Sequence, residues 1–292
     1  MTITQEADFC IDLHCHTTAS DGALPPKELV ARAHARGVTH LAITDHDTIA
    51  GLEEASEAAR EAGLTLIAGT ELSCLWKSHT IHIVGLDFDV DDDRLKQALE
   101  RQNTNRWSRA RTITDKLSKL KIENLLEKAT DKAGGDVPGR PHFARVLVEE
   151  GVVKDIAQAF KRYLGAGKAG DVKGFWPELP EVVRWITEAG GVAVLAHPRK
   201  YKLTATKLRA LVADFRQAGG RSIEVSTSGQ SSGDLGFLAE LCRRESLLAS
   251  QGSDFHFPGA PWCELGVIMK MPDGLEPVWH HFKQPAGVPA AV

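Results

Sequence analysis

The chain has 292 residues, of which 42% are apolar and 25% are charged, and its formal net charge is −4. These values are typical of a soluble globular protein, and the length fits one large α/β domain or a domain that carries an insertion. The acidic balance argues against a basic surface for long nucleic acids, although a local basic pocket for a small anion stays open.

No apolar run approaches the length of a membrane span, and the first residues, MTITQEADF, lack the basic and then apolar pattern of a secretion signal. An odd number of scattered cysteines without a CxxC pair indicates reduced thiols and not a disulfide framework. The cysteines are Cys10, Cys15, Cys74, Cys242 and Cys263. We therefore expect a cytoplasmic protein that does not contact a membrane.

Strand and helix patterns alternate through the first hundred residues. In chain order the predicted elements are the strand DFCIDLHCH, the helix PPKELVARAHARG, the strand THLAITDHD, the helix GLEEASEAAREAG, the strands LTLIAGTELS and TIHIVGLDF, and the helix DDRLKQALERQ. The first helix has a proline near its start and a glycine after its end, as helices often do. This repeated strand–helix order predicts a parallel sheet with helices outside it, most simply a barrel.

The pattern changes between about residue 101 and residue 169. Here RWSRARTITDKLSKL, ARVLVEEG and DIAQAFKRYLG are predicted helices, and GAGKAGDVKG is predicted to be a flexible return. Helix–strand pairs then resume with LPEVVRWITEAGG and VAVLAHP, KLRALVADFRQAGG and RSIEVSTS, and LGFLAELCRRES and LLASQGSDFH. The sequence thus predicts a barrel domain of residues 1–100 and 170–292, interrupted by a helical insertion domain of residues 101–169 that contributes to substrate binding.

Potential metal ligands stand at the ends of the predicted strands. Because the C-terminal ends of parallel strands in an α/β barrel meet on one face, residues far apart in sequence would lie together there. His14 and His16 are two residues apart and point to the same side of a strand, and the same holds for Asp254 and His256. The full set is His14, His16, Asp21, Asp45, His46, Asp47, Glu71, His82, His197, Asp254 and His256.

A single member of this set could be an ordinary polar loop residue, but the set as a whole favours metal binding. Imidazole and carboxylate ligands together suit zinc, manganese or iron, whereas calcium takes oxygen ligands alone. More than four ligands imply more than one ion. No such role is predicted for the remaining histidines away from the strand ends, His34, His40, His280 and His281.

These motifs, in this order, resemble those of the polymerase and histidinol phosphatase (PHP) family. They are HxH at residues 14–16, TDHD at residues 44–47, the single Glu71 and His82, HP at residues 197–198, and SDxH at residues 253–256. The resemblance covers roughly residues 9–100 and 171–292. It implies a distorted (β/α)7 barrel that holds two or three divalent metal ions, with manganese as the first choice and iron or zinc as alternatives.

The resemblance also implies how the ligands are shared among the ions. One ion would take His14, His16 and Asp254, and Glu71 would bridge it to a second ion held by His82 and His197. A third ion would be held by Asp21, His46 and His256. Catalysis would then depend on Glu71, Asp254 and His197, while Asp45 would orient a neighbouring histidine.

The insertion, with GRPHFAR at residues 139–145, resembles that of a subfamily containing 3′,5′-nucleotide bisphosphate phosphatases and a 5′-3′ exoribonuclease. This implies that a hydroxide bridging two ions hydrolyses the 3′-phosphate of adenosine 3′,5′-bisphosphate, leaving AMP. Cleavage of short 5′-phosphorylated oligonucleotides is the alternative. Histidinol phosphatase activity is disfavoured because that branch does not normally carry the insertion. A non-catalytic binding module would be expected to lack ligands, and here the ligand set is complete.

A nucleotide bisphosphate carries a second phosphate that must be held away from the metal ions, and arginine suits bidentate phosphate contacts. Arg140 and His142 are the first candidates, because Pro141 restrains the loop that would present them. Arg199 and Lys200, which follow a predicted strand end, are the second.

Other cationic and aromatic residues of the insertion are less specific. The basic run Arg106, Arg109 and Arg111 is interpreted as one exposed helix face. An aromatic residue in an amphipathic helix usually serves packing, but three of them could stack on a base. These are Trp107, Phe143 and Phe175.

Overall fold

Seven strands form one sheet that curls almost to closure in the computed structural model, which describes residues 9–260 and 262–283. The strands are β1 (Ile11–Asp12), β2 (His40–Ile43), β3 (Thr65–Trp76), β4 (His79–Leu86), β5 (Val192–Leu195), β6 (Ser222–Thr227) and β7 (Leu248–Gly252). They are neighbours in chain order, and the segment after β1 hydrogen-bonds to β7 through Leu13 N and Gln251 O, 3.1 Å apart. The distorted (β/α)7 barrel is confirmed. The remaining residues of the predicted barrel domain, 1–8, 261 and 284–292, lie outside the described ones.

Helices pack around the sheet or in a separate core. They are α1 (Pro26–Ala35), α2 (Leu52–Ala62), α3 (Asp93–Leu117), α4 (Leu125–Lys132), α5 (Arg140–Glu149), α6 (Ile156–Ala159), α7 (Leu179–Glu188), α8 (Ala205–Gln217) and α9 (Ser232–Arg244). In α8, for example, Leu208, Leu211, Val212 and Phe215 are buried against the sheet. By contrast, α4, α5 and α6 pack against one another and against α3 in the separate core. A π-helical turn, Phe160–Leu164, follows α6 where the sequence predicts one continuous helix.

The sheet is not wholly parallel, so the prediction of a parallel sheet is wrong at β4. A two-residue turn at residues 77–78 joins β3 to β4, and β4 pairs antiparallel with both β3 and β5. A parallel pair needs a long crossover connection, which two residues cannot supply. As a result Glu71 and His82 lie inside the β3–β4 hairpin and not at strand ends as the sequence predicts.

The predicted insertion is built on α3, a single helix of 25 residues where the sequence pattern indicates two. Leu95 and Leu99 in its first half pack into the barrel core, whereas Ala110 and Ile113 in its second half belong to a separate core with α4 and α5. The predicted boundary at residue 101 therefore falls within a continuous helix, and the division into two domains stays a prediction.

Two features bear on the environment of the protein. All five cysteines are free thiols, as their scattered positions indicate. Within the described part of the chain, none of the helices has the length and apolar character needed to cross a membrane.

Candidate metal centre

The nine predicted metal ligands lie together on the face of the barrel where the parallel strands end. Three of them, His14, His16 and Glu71, have no solvent-exposed surface. The cluster consists of His14, His16, Asp21, His46, Glu71, His82, His197, Asp254 and His256.

Glu71 occupies the middle of the cluster. Its Oε2 lies 3.4 Å from Nε2 of both His14 and His16. Oδ1 of Asp254 approaches the same two imidazole nitrogens, at 3.5 Å from His14 and 3.3 Å from His16. Two imidazoles and two carboxylates therefore converge on one point, the arrangement predicted for the first ion.

The other oxygen of Glu71 faces a second pair of imidazoles. Oε1 lies 3.0 Å from Nδ1 of His82 and 2.8 Å from Nε2 of His197. Burial opposes ionisation of Glu71, but His82, His46 and His14 hold the pKa of its carboxyl well below the usual range. The ionised carboxylate is thus placed to bridge two cations.

A third group of ligands borders the first. Asp21 Oδ1 lies 3.4 Å from Nε2 of His256, and Asp21 Oδ2 lies 3.8 Å from Nε2 of His46. Burial disfavours the charged imidazole of His256, but the carboxylate of Asp21 outweighs it and raises the pKa of His256 to about 9. The ring of His256 also stacks on that of His16, with centroids 4.1 Å apart.

The buried polar atoms without hydrogen-bond partners test whether these residues fit metal ions. In the described part of the chain six buried side-chain atoms have no partner, and five of them belong to this cluster. Buried polar groups are normally paired, and two of these atoms, His46 Nδ1 and Glu71 Oε2, lie 3.0 Å from each other without forming a hydrogen bond. Five such atoms in one cluster indicate positions where a bound cation would supply the missing contact. The five atoms are His16 Nδ1, Asp21 Oδ1, His46 Nδ1, Glu71 Oε2 and His197 Nδ1. The cluster fits divalent cations, and the division among three ions stays a prediction.

Glu224, on β6, is a residue of the site that the sequence reasoning missed. It is buried, its Oε1 lies 2.6 Å from Nδ1 of His14, and its Oε2 accepts the backbone N–H of His197 at 2.5 Å. If Nδ1 of His14 donates to Glu224, Nε2 presents its lone pair to the cluster. The sequence did contain a signal for Glu224, which stands between Ile223 and Val225 in a predicted strand. Because alternate strand residues face opposite sides, its carboxylate points to the side of the strand opposite these two apolar neighbours.

Two further residues hold the ligand-bearing segments. The Tyr201 hydroxyl accepts the backbone N–H of His82 at 2.9 Å and donates to the carbonyl of Ala196 at 2.8 Å. The side chain of Asp45 makes no hydrogen bond or ion pair with a histidine among the described residues, so the expectation that it orients one is wrong. Its carboxylate accepts hydrogen bonds from Thr17 and Ser20, which precede Asp21. Asp45 therefore shapes the loop that carries a ligand.

The four predicted substrate contacts occupy different environments. Arg140 lines a cavity beside the metal ligands, and Lys200 forms an ion pair with Oδ2 of Asp254. Arg199 instead pairs with Asp234 of α9 at 2.5 Å. His142 is only 2% exposed, and its Nδ1 accepts the backbone N–H of Gly139 at the start of α5. Arg140 and Lys200 are thus close to the metal cluster, while the contacts of Arg199 and His142 serve the surrounding fold.

The interpretation of the basic run on α3 as an exposed face is wrong for two of its three members. Arg106 and Arg109 are partly buried and line the same cavity as Arg140, whereas Arg111 is exposed. The α3 helix crosses from the barrel to the insertion, so its inner face is covered by both. Burial, together with the charges of Arg140 and Arg106, lowers the pKa of Arg109 to about 9.

The aromatic residues near this cavity also differ from those singled out in the sequence. Phe143 is completely buried in the core of the insertion and offers no ring to a ligand. Trp176, which was not predicted, lines the cavity, and the Arg109 guanidinium lies 5.5 Å from its ring centroid.

A distorted barrel with a buried cluster of histidines and carboxylates is typical of metal-dependent hydrolases. A family model described as the PHP domain matches residues 12–172, and the chain belongs to this family. Family membership and the ligand cluster together identify a hydrolase that uses divalent metal ions.

The chain is similar over nearly its whole length to two curated proteins. It is 46% identical to a 5′-3′ exoribonuclease of Haemophilus influenzae over 93% of this chain and 98% of that protein. It is 40% identical to a 3′,5′-nucleoside bisphosphate phosphatase of Chromobacterium violaceum over 94% of this chain and 96% of that protein. A solved structure of an amidohydrolase from C. violaceum with bound sulfate is 40% identical, has a TM-score of 0.86, and is matched over 93% of this chain and 95% of that chain.

Proposed function

We propose that the protein hydrolyses the bond between phosphorus and the 3′-oxygen of a 5′-phosphorylated nucleoside. The leading substrate is a nucleoside 3′,5′-bisphosphate such as adenosine 3′,5′-bisphosphate, which yields AMP and phosphate. The observation that carries this proposal is a cavity of about 250 Å³ that is lined by both predicted metal ligands and cationic side chains. The ligands are Asp21, His46 and His82, and the cations include Arg109, Arg140 and Lys173.

The cationic side chains of the cavity suit the phosphate that is not cleaved. Arg140 and Lys173 share one carboxylate, Asp171, at 3.8 and 3.4 Å. Arg109 makes no ion pair with any described carboxylate, and its Nε donates to the carbonyl of Val172 at 2.9 Å. The excess of positive charge favours binding of a dianion, and guanidinium groups match the geometry of phosphate oxygens.

The metal cluster suits the phosphate that is cleaved. Two or three divalent ions, for which we propose manganese, would lower the pKa of water so that it reacts as hydroxide and would neutralise charge on the phosphoryl oxygens. Burial opposes ionisation of Asp254, but His14 and Lys200 hold the pKa of its carboxyl well below the usual range. An ionised Asp254 can accept the proton of the attacking water. Lys200, half exposed beside Asp254, can contact a phosphoryl oxygen.

The second candidate function is 5′-3′ exoribonuclease activity on short 5′-phosphorylated oligonucleotides. The similarity to the H. influenzae exoribonuclease supports it. Both reactions break the same bond, between phosphorus and the 3′-oxygen of the 5′-phosphorylated nucleoside. They differ in whether the phosphoryl group also carries a second nucleoside.

The test is a comparison of substrates with manganese supplied. We expect hydrolysis of adenosine 3′,5′-bisphosphate or of a 5′-phosphorylated dinucleotide to exceed that of AMP and of histidinol phosphate, which lack the paired 3′- and 5′-phosphates. Equal rates on all four would refute the proposal.

Arginine variants test the 5′-phosphate contacts. Arg109→Ala and Arg140→Ala should each raise KM by roughly 10- to 100-fold, the cost of losing a hydrogen bond to a charged group, with unchanged metal content. Arg111→Ala, an exposed neighbour on α3, is the matched control and should leave KM unchanged. Loss of bound metal with normal KM in the first two variants would contradict their assignment.

A further inference from the structure

Asp47, the last residue of the TDHD motif, is a candidate ligand that the structure places outside the metal cluster. It directly follows the ligand His46, and its side chain is buried in contact with β3 and α3. Its carboxylate accepts the backbone N–H of Ser73 at 2.6 Å, the hydroxyl of Ser73 at 3.0 Å and the side-chain N–H of Gln102 at 2.9 Å. Asp47 therefore joins a ligand-bearing segment to a strand and to the helix of the insertion.

The backbone at Asp47 is left-handed, with a φ of 57°, which residues other than glycine adopt rarely. Such a conformation persists where the surrounding contacts fix it. Here the backbone N–H of Asp47 donates to the carbonyl of Glu71 at 2.9 Å, in addition to the contacts of its side chain. The turn after His46 is thus fixed against β3, the strand that carries Glu71.

Gln102, in α3, is the partner of Asp47 on the insertion side. It has no solvent-exposed surface. Its carboxamide donates one hydrogen bond to Asp47 and a second to the carbonyl of Ser73 at 2.8 Å, so both of its N–H groups are used. Because a buried polar group must keep its hydrogen bonds, these contacts fix the position of α3 against β3.

The arginines that line the cavity beside the metal ligands lie on the same face of α3 as Gln102. Arg106 and Arg109 follow Gln102 by four and seven residues, the spacing of one helix face. Arg106 also donates to the carbonyl of His46 and lies 3.4 Å from Oδ2 of Asp47. A shift of α3 at Gln102 would therefore move both guanidinium groups relative to the metal ligands.

We propose that Gln102 is a positioning residue, which through Asp47 sets the distance between the metal centre and the cations that hold the 5′-phosphate. The proposal rests on the function proposed above. A substrate with two phosphates binds productively only if both sites have the correct spacing, and misplacing a group by about 1 Å can cost on the order of 100-fold in rate. In the described structure Gln102 does not line the cavity, so its effect on the substrate passes through α3.

Replacing Gln102 by leucine tests this inference, because leucine fills a similar volume but donates no hydrogen bond to Asp47 or Ser73. Gln102→Glu, which keeps the shape of the side chain and loses the N–H₂ group, is the second variant if the leucine variant does not fold. Gln97→Leu, at an exposed position of the same helix, is the matched control. Thermal unfolding and manganese content are measured for each protein.

Kinetics are compared on adenosine 3′,5′-bisphosphate and on adenosine 3′-phosphate, which has only the phosphate to be cleaved. We expect Gln102→Leu to lower kcat/KM on the bisphosphate by at least about 10-fold, mainly through a higher KM, with unchanged manganese content. It should change kcat/KM on adenosine 3′-phosphate by less than about twofold, and Gln97→Leu should change neither. An equal loss on both substrates would overturn the inference, because Gln102 would then support the metal centre or the fold as a whole. Unchanged hydrolysis of the bisphosphate would overturn it as well.

Binding of AMP, measured by calorimetry on the manganese-loaded protein, adds a readout without turnover. AMP has the 5′-phosphate alone and needs no spacing between two sites, so its Kd should change by less than about threefold in Gln102→Leu. A loss of AMP affinity as large as the loss of kcat/KM on the bisphosphate would refute the spacing role, because Gln102 would then shape the 5′-phosphate site itself.

The wild-type protein separates this inference from the proposed function. If it prefers the bisphosphate to adenosine 3′-phosphate and Gln102→Leu keeps that preference, the inference is wrong and the proposed function stands. If the wild type hydrolyses neither compound with manganese supplied, the proposed function fails and the inference fails with it.

Discussion

Replacing Glu224 by glutamine tests whether a buried carboxylate on β6 prepares His14 to bind metal. Glu224 accepts from Nδ1 of His14 at 2.6 Å and from the backbone N–H of His197 at 2.5 Å. Glutamine has one acceptor oxygen, so its amide N–H₂ must face one of these two donors. The conflict is relieved only if His14 adopts the other tautomer, which turns its Nε2–H toward the metal cluster.

The size of the effect follows from losing one hydrogen bond to a charged group, which costs about 1.5–3 kcal/mol. Transferred to metal binding, this predicts manganese affinity weakened by about 10- to 100-fold, as for other partners of ligating histidines. The overall fold should persist, because glutamine has nearly the same volume as glutamate.

The measurement is a manganese titration of protein freed of metal by a chelator, by calorimetry or by competition with a chromogenic chelator. Far-UV circular dichroism and thermal unfolding of the metal-free variant report on folding. Glu240→Gln, an exposed position on α9, is the control and should bind as the wild type does. If Glu224→Gln also binds manganese with wild-type affinity, the assigned role of Glu224 is refuted.

Two predictions concern the ligands themselves. Glu71→Ala should lower kcat by on the order of 10³-fold and reduce the number of bound ions, because both carboxylate oxygens contact imidazoles of the cluster. Near-normal turnover with metal supplied would contradict this prediction, and so would an unchanged number of metal ions per protein by elemental analysis. Manganese binding should release protons at neutral pH. Despite burial, carboxylates raise the pKa of His256 to about 9 and that of His14 well above its usual value, so both imidazoles are protonated without metal. Burial lowers the pKa of His16 to about 3, so this imidazole has no proton to release. Affinity should therefore rise from pH 6 to pH 8, and calorimetry in two buffers of different ionisation enthalpy would show no difference if this reasoning is wrong.

The sequence could predict that these candidate ligands lie together because their placement depends on local geometry. Two residues of spacing put His14 and His16 on one side of a strand, and the ends of parallel strands meet on one face of a barrel. His82 lies in the same cluster for a different structural reason. The β3–β4 hairpin places an interior residue of an antiparallel strand at the same cluster.

The sequence by itself determined the barrel class, the chemical type of the site and the identity of its candidate ligands, because these depend on residue type, strand periodicity and motif order. Only the tertiary structure decided what surrounds the ligands. Glu224 contacts His14 across 210 residues of sequence, and Arg106 and Arg109 are covered because α3 runs between the barrel and the insertion. Such contacts depend on how distant segments pack against one another, and residue spacing along a single helix or strand does not encode that.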